Sequence, residues 1–223
     1  MVEVRRDVDG GGDTHKSFTE GEVNSGAMLA WVTEHSVTAN GFVSTWYDQG
    51  GNGLDLVESV LLNQPKIVKD GLFIDSGILF QGGTKNLETA TTFAFGDDPV
   101  SVFIGTKLDD SAVGFALNLG SQRQFINAAS TFRKMFAGSN ANSGLATTES
   151  EVWSVLFDPV SQGGEPETFA VEGNFYVDGS LKSVPDAAIG TQVVGDGKIQ
   201  IGNRTNLTDG IEGAIYEVII YNS

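Results

Sequence analysis

The sequence predicts an all-β sandwich, and three observations carry that prediction. The chain places 29 glycines in 223 residues, nearly twice the usual share of about 7%. Those glycines separate short apolar runs bounded by turn residues, and helical periodicity is confined to one segment. Strands are expected over 2–6, 42–47, 65–68, 72–74, 100–107, 112–119, 124–127, 131–136, 151–157, 168–171, 175–177, 198–201 and 213–221. Their lengths and spacing suit a sandwich or a jelly roll.

Near the front, Thr19 followed by Glu22 fits a capping box, and Val23, Met28, Leu29 and Val32, with Ala27 and Trp31, form an apolar stripe at roughly helical spacing. One short helix over 21–33 is expected to close an end of the sandwich, although Gly21 and Gly26 each weaken it by about 1 kcal/mol relative to alanine. In Ser101-Val102-Phe103-Ile104-Gly105 and in Glu151-Val152-Trp153-Ser154-Val155-Leu156-Phe157 the apolar side chains are too dense for a half-solvated strand, so both strands are expected to be central and covered on both faces. Glu172-Gly173-Asn174 reads as a hairpin turn between two strands, and Val177-Asp178-Gly179-Ser180 as a second reversal. Neither an internal repeat nor a linker divides the sequence, so one domain over 1–223 is expected.

Composition excludes several classes of function. The net charge of −16 repels phosphate backbones and anionic lipid, so neither nucleic acid nor a membrane surface is an expected partner. A hydrophobic share of 40% against 19% charged residues is that of a core-forming chain. The absence of cysteine removes disulfides, thiolate zinc sites and cysteine nucleophiles. His15 and His35 have no Ser or Cys motif beside them and read as surface residues. The opening residues lack the apolar stretch of a secretory signal, and no apolar run approaches the ~20 residues of a membrane span.

The densest motif is Gly41-Phe42-Val43-Ser44-Thr45-Trp46-Tyr47-Asp48-Gln49-Gly50-Gly51-Asn52-Gly53. A strand of bulky residues runs into a glycine-rich turn, which presents Trp46, Tyr47, Asp48, Gln49 and Asn52 as candidates for glycan binding. Aromatic faces stack on sugar rings, and amide and carboxylate groups bond hydroxyls. The competing reading makes Trp46 and Tyr47 packing residues and has Asp48 and Asn52 bond their own turn backbone.

These residues carry a resemblance. The stretch from Val2-Glu3-Val4-Arg5-Arg6-Asp7 through Trp46-Tyr47-Asp48-Gln49-Gly50-Gly51-Asn52-Gly53 to Asn63-Gln64-Pro65-Lys66-Ile67-Val68 resembles the arabinofuranosidase B catalytic-domain family and a set of phage and bacterial surface proteins with the same opening segment. Phe175-Tyr176-Val177-Asp178-Gly179, Ile199-Gln200-Ile201-Gly202-Asn203 and the closing Gly213-Ala214-Ile215-Tyr216-Glu217-Val218-Ile219-Ile220-Tyr221 resemble strands of laminin-G-like and concanavalin A-like domains. The resemblance implies a concanavalin A-like jelly-roll β-sandwich with one short N-terminal helix.

It also implies where catalytic groups would stand. A retaining glycosidase needs two carboxyl groups about 5 Å apart. The family places its nucleophile, a Glu, in the middle of the domain, and here residues 111–148 hold no Asp or Glu. Its acid/base Asp falls on Asn206, with Asp209 and Glu212 nearby. The expectation is therefore a chain that is not an enzyme. Within that acid-free window Arg123, Arg133 and Lys134 are candidates for an assembly surface or for solvent-facing decoration, and Asn118, Gln122, Gln124 and Asn127 could serve as sugar-hydroxyl partners.

No cofactor is implied. Asp7, Asp9, Asp13 and Glu20 fail as a calcium loop because Gly11 and Thr14 occupy positions that need other residues. Asp97-Asp98 and Asp109-Asp110 sit in loops of the kind where laminin-G-like sandwiches hold structural calcium, and they read as solvated turn carboxylates. The functional expectation is a virion surface component, namely a capsid decoration, head-fibre or tail-fibre domain, forming a homo-oligomer beside other virion proteins and meeting a cell-surface glycan. The alternatives are a lectin-like module of a bacterial surface protein and, less favoured, an arabinofuranosidase. The expected location is the virion surface or the extracellular space.

Overall fold

The computed structural model describes residues 1–7, 14–74, 77–93, 100–109, 113–120, 123–128, 132–137, 140–142, 149–161, 169–172, 175–183, 191–192, 197–203 and 209–222. In chain order the elements are β1 (Val2–Arg6), β2 (His15–Phe18), α1 (Glu20–Asn24), α2 (Ala27–Thr33), β3 (Gly41–Trp46), β4 (Leu56–Val57), a 3-10 turn (Leu61–Asn63), β5 (Lys66–Lys69), β6 (Leu72–Phe73), β7 (Ile78–Gln81), β8 (Leu87–Thr89) and β9 (Val100–Leu108). There follow β10 (Val113–Leu119), β11 (Arg123–Ala128), β12 (Phe132–Ala137), β13 (Asn140–Asn142), β14 (Glu151–Ser161), β15 (Phe169–Glu172), β16 (Phe175–Val177), β17 (Ser180–Ser183), β18 (Thr191–Gln192), β19 (Ile199–Ile201) and β20 (Glu212–Asn222). The expected all-β sandwich is what the chain forms, and the sheet does not close.

One layer runs β2, β1, β3, β5, β7, β20, β9, β14, β16, β17 by antiparallel pairing. The other runs β4, β8, β19, β10, β11, β12, β13, also antiparallel. Strand β3 belongs to both. Gly41 and Phe42 pair with β5, whereas Thr45 and Trp46 pair with β4, so the strand carries the chain from one layer into the other, as strands do at sandwich corners. Between the layers one apolar cluster unites Val4, Val43, Val68, Phe80, Val102, Ile104, Trp153 and Ile215 of the first with Leu87, Leu117, Ile199 and Ile201 of the second. Burial of these side chains is the main stabilising term, at roughly 25 cal/mol per Å² of apolar surface removed from water.

The helical segment departs from expectation. The capping box forms, with Thr19 Oγ1 accepting from Glu22 N and the Glu22 carboxylate accepting from Thr19 N. Yet the helix stops at Asn24 and a second begins at Ala27, because Gly26 sits at φ 80°, in the left-handed region where glycine has no steric penalty. Met28 and Val32 of α2 are buried, and Trp31 packs against Phe18 with ring centroids 5.5 Å apart.

Strands β9 and β14 are central, as expected, but not covered on both faces. Phe103 is 40% exposed and Val152 43%, so their density of apolar residues does not bury the outer face. There Tyr216 lies over Gly105, where an added Cβ would stand 2.1 Å from the ring. The turn of the hairpin expected at Glu172–Asn174 lies outside the described residues at 173–174; β15 and β16 both pair with β14, on successive stretches of it. The second reversal does form: Asp178 and Gly179, at φ 50° and 71°, link β16 to β17 as a two-residue turn with both central residues at positive φ.

Candidate functional site

Register builds a row of residues across six strands of the second layer and its corner. Thr45 on β3 pairs with Val57 on β4, Val57 with Glu88 on β8, Glu88 with Gln200 on β19, Gln200 with Asn118 on β10, and Asn118 with Gln124 on β11. Because side chains alternate along a strand, the row lies on the face opposite Leu87, Leu117 and Ile201, which fill the core.

Three side chains of the row, Asn118, Gln200 and Glu88, form a hydrogen-bonded chain. Asn118 Nδ2 donates to Gln200 Oε1 at 2.8 Å, and Gln200 Nε2 donates to Glu88 Oε2 at 2.9 Å. The other Glu88 oxygen is ion-paired with Lys198. Asn118 and Gln200 are buried, whereas the Glu88 and Lys198 side chains are 31% and 37% exposed. The chain therefore runs from fixed amides to an ion pair that meets solvent. Beneath it, Thr89 Oγ1 accepts from Ile199 N at 3.1 Å, which ties β8 to β19.

A second carboxylate stands just past β4. Glu58 is buried, accepts from Val60 N at 2.7 Å, and accepts from the Asn86 amide at 2.6 Å in the orientation that satisfies both ends of that amide. Burial pushes its carboxyl above the ordinary value; the Val60 bond opposes this, and the charge of Glu88 adds to it. Two glutamates, one just past β4 and one on β8, thus differ in environment, Glu58 buried and reluctant to ionise, Glu88 ion-paired at the surface.

The turn after β3 places the sequence candidates differently. Asp48 accepts from Gly50 N at 2.6 Å, Asn52 N at 2.7 Å and Leu54 N at 3.3 Å. Burial raises its pKa, but the backbone bonds outweigh burial and hold the carboxyl below the ordinary value. Gln49 Nε2 donates to Tyr47 O, the Tyr47 hydroxyl bonds that of Ser17 at 3.0 Å, and Trp46 packs against the core. The turn stands at the Thr45 end of the polar row, so the candidate strand and the row are continuous in register.

The remaining candidates are scattered. Arg123 pairs with Ala137, Arg133 with Asn127 and Lys134 with Ile126 along β11 and β12. Asn127 pairs with Gly114 and Arg133; Gln122 and Asn206 lie outside the described residues, as do Asp9, Asp13, Asp97, Asp98 and Asp110. Asp7 accepts from Asn40 N and Asn40 Nδ2, both at 2.8 Å. The Asp209 carbonyl accepts from Phe115 N, and Glu212 begins β20. Among the described residues no three His, Asp or Glu side chains gather as a metal site, and no helix is long and apolar enough to cross a membrane.

Sequence reasoning singled out Asn118 and Gln124 but missed Glu88, Lys198, Gln200 and Glu58. Glu88 sits in a strand of three residues, and its partners are 110 and 112 residues away, so only sheet register brings them together.

No family model matches the chain, and no curated protein matches it. Solved structures do. A GH54 α-L-arabinofuranosidase soaked with a cyclic sulfate inhibitor matches over 100% of this chain and 56% of its own, with TM-score 0.59 and 13% identity. A Glu-to-Gln variant of a GH54 arabinofuranosidase soaked with 4-nitrophenyl α-L-arabinofuranoside gives TM-score 0.58 at the same identity and coverage. An arabinofuranosidase complexed with arabinofuranosyl-α-1,2-xylobiose gives 0.55 at 13% identity, over 100% of this chain and 55% of that one. The chain spans about half the length of these enzymes. This finding overturns the expectation that the chain is not an enzyme, because the structures that share its fold over its full length are glycoside hydrolases. The likeness is one of fold, and it names no catalytic residue of this chain.

Proposed function

We propose that this chain is a carbohydrate-recognising sandwich of arabinofuranosidase type, carried on a virion or bacterial surface. The observation that carries the reading is the row in which buried Asn118 and Gln200 hold Glu88 against Lys198 at the solvent boundary. A carboxylate and an ammonium fixed side by side offer acceptors and donors to neighbouring sugar hydroxyls, and the buried amides remove the entropy cost of ordering the carboxylate on binding. The shared fold with arabinofuranosidases directs the choice of sugar to a pentofuranoside. The surface setting rests on the resemblance of Val2–Asp7 and Trp46–Gly53 to phage and bacterial surface proteins.

A second reading, hydrolysis of the bound glycoside, is favoured by one further observation, the contrast between Glu58 and Glu88. Glu58 would supply the proton and Glu88 the negative charge.

Titration with an arabinofuranosyl trisaccharide, followed by NMR, tests recognition. Binding that disappears in Glu88→Gln supports the reading; a flat titration at millimolar sugar overturns it. Release of nitrophenol from 4-nitrophenyl α-L-arabinofuranoside, abolished in both Glu58→Gln and Glu88→Gln, would establish the second reading, and turnover that survives both changes would overturn it.

A further inference from the structure

A second surface feature lies on the other layer, and it runs against the charge of the whole chain. Arg5 on β1 pairs in register with Phe42 on β3, and Phe42 with Lys66 on β5, so the three stand in one row across the first layer. The Arg5 guanidinium lies 4.4 Å from the Phe42 ring centroid and the Lys66 ammonium 5.5 Å from it. One aromatic ring therefore holds two cations, a favourable contact for each.

The cations are held from behind as well. Gln64, only 1% exposed, accepts from Arg5 Nε at 2.8 Å and donates to the Glu58 carbonyl at 2.9 Å. With Nε engaged by a buried amide, the guanidinium is fixed in rotation and its Nη edge remains as the face to be recognised. Lys85 joins from the segment before β8, its ammonium donating to the Leu62 carbonyl. Burial lowers the Lys85 pKa, and the charges of Lys66 and Arg5 lower it further, against the attraction of Glu58; the three cations share one field.

What should neutralise this cluster is missing among the described residues. The ion pairs there are Arg6–Glu34, His35–Glu34 and Lys198–Glu88, and none includes Arg5, Lys66 or Lys85. The nearest acids act at longer range: Asp7 on Arg5, its oxygens bonded to Asn40, and buried Glu58 on Lys85. In a chain of net charge −16, three like charges gathered by residues distant in sequence, none of them ion-paired among the described residues, cost stability through mutual repulsion. A planar oxyanion would relieve that cost, with the Nη edge of arginine binding it in bidentate fashion.

We propose that Arg5, Lys66 and Lys85 form a binding site for the carboxylate of an acidic saccharide, a uronic-acid residue of a glycan. The assignment rests on the carbohydrate reading above for the saccharide alone; the oxyanion follows from the cations. Leu62, 81% exposed beside Lys85, supplies an apolar lip against which the carbon face of a sugar ring packs.

Calorimetric titration of the full chain at low salt with a galacturonate trisaccharide, a neutral arabinofuranosyl trisaccharide and sodium sulfate tests the site. The uronate is expected to bind, to weaken about tenfold in Lys66→Gln and in Lys85→Gln, each having lost one charge-assisted contact, and to weaken in Arg5→Lys, which keeps the charge and loses the fork. Thermal melts confirm that each variant is folded. No uronate binding, or uronate binding that Lys66→Gln and Lys85→Gln leave intact, overturns the site. Sulfate bound as tightly as the uronate overturns the saccharide and leaves a bare oxyanion site. Binding of the neutral trisaccharide alone sinks this proposal while sparing the Glu88 face; binding of the uronate alone does the reverse.

Discussion

The turn after β3 and the row across the second layer hold carboxylates by opposite means. Asp48 is surrounded by its own sequence: the N–H groups it binds belong to residues two to six positions away. Glu88 is surrounded by strangers, since Lys198 and Gln200 arrive from 110 and 112 residues along the chain. A locally satisfied carboxylate is spent on shaping its turn. One satisfied by register is a by-product of the whole sheet, and its environment can be tuned without altering the local backbone. That difference makes the row, rather than the more conspicuous turn, the better place to look for chemistry.

Breaking the row at its centre has the largest expected effect. Gln200→Leu removes the acceptor that Asn118 Nδ2 uses in a buried setting and the donor that Glu88 Oε2 uses in a half-buried one. Removing one partner from buried polar groups costs about 1–3 kcal/mol for each group affected, so a loss of about 3 kcal/mol in urea-unfolding stability is expected. An Asn118→Ala, Gln200→Ala cycle should return a coupling of about 1 kcal/mol. A coupling near zero would mean that the amides are independent and the row is no unit.

How much of this was legible follows from the same contrast. The capping box at Thr19 and Glu22 was readable because both partners lie within one helical turn, and the Asp178-Gly179 reversal because its residue types fix the turn. The break at Gly26 was not, since a lone glycine costs a helix only about 1 kcal/mol and the left-handed geometry is settled by how α2 packs Met28 and Val32. Strands β4 and β8 have two and three residues, too few for alternation to register, and they exist because β3 and β19 supply partners. The pairing of β15 and β16 with successive stretches of β14 was hidden for a related reason, because Glu172-Gly173-Asn174 has turn chemistry whether or not the flanking strands pair with each other. Residue types around Trp46 and Asp48 marked a candidate strand; only the register shows that the amides of β10 and β19 lie in a row with it.

The local carboxylate should cost less to remove. Asp48→Ala deletes three backbone contacts in a partly exposed turn, and a loss of about 2 kcal/mol is expected. Its pH dependence has a definite sign. The folded carboxyl titrates below its ordinary value, so the stabilisation is complete above the unfolded pKa of about 3.9 and is lost as pH falls through the lower folded pKa. Wild type and Asp48→Ala should therefore differ in melting temperature at neutral pH and converge under strong acid. Curves that stayed parallel would detach the turn's stability from this carboxylate.

Smaller still is the capping box, another purely local device. Thr19→Ala removes the acceptor for Glu22 N and should lower stability by about 1 kcal/mol, read as a shift of a few degrees in melting temperature. Glu22→Gln, which keeps a side-chain acceptor for Thr19 N, should cost a fraction of that.

The smallest effect belongs to the solvent end of the row, and it separates stability from function. Lys198 and Glu88 are each about one-third exposed, and exposed ion pairs contribute about 0–1 kcal/mol. Lys198→Met should therefore barely move the unfolding midpoint in 0.15 M salt, while Gln200 still holds the carboxylate through its other oxygen. Affinity for the arabinofuranosyl trisaccharide should nevertheless fall about tenfold, because the ammonium that would face the sugar is gone. If stability fell by more than 2 kcal/mol instead and the sugar titration did not change, the ion pair would be a structural clasp between β8 and β19, and the binding face would have to be sought elsewhere on the sandwich.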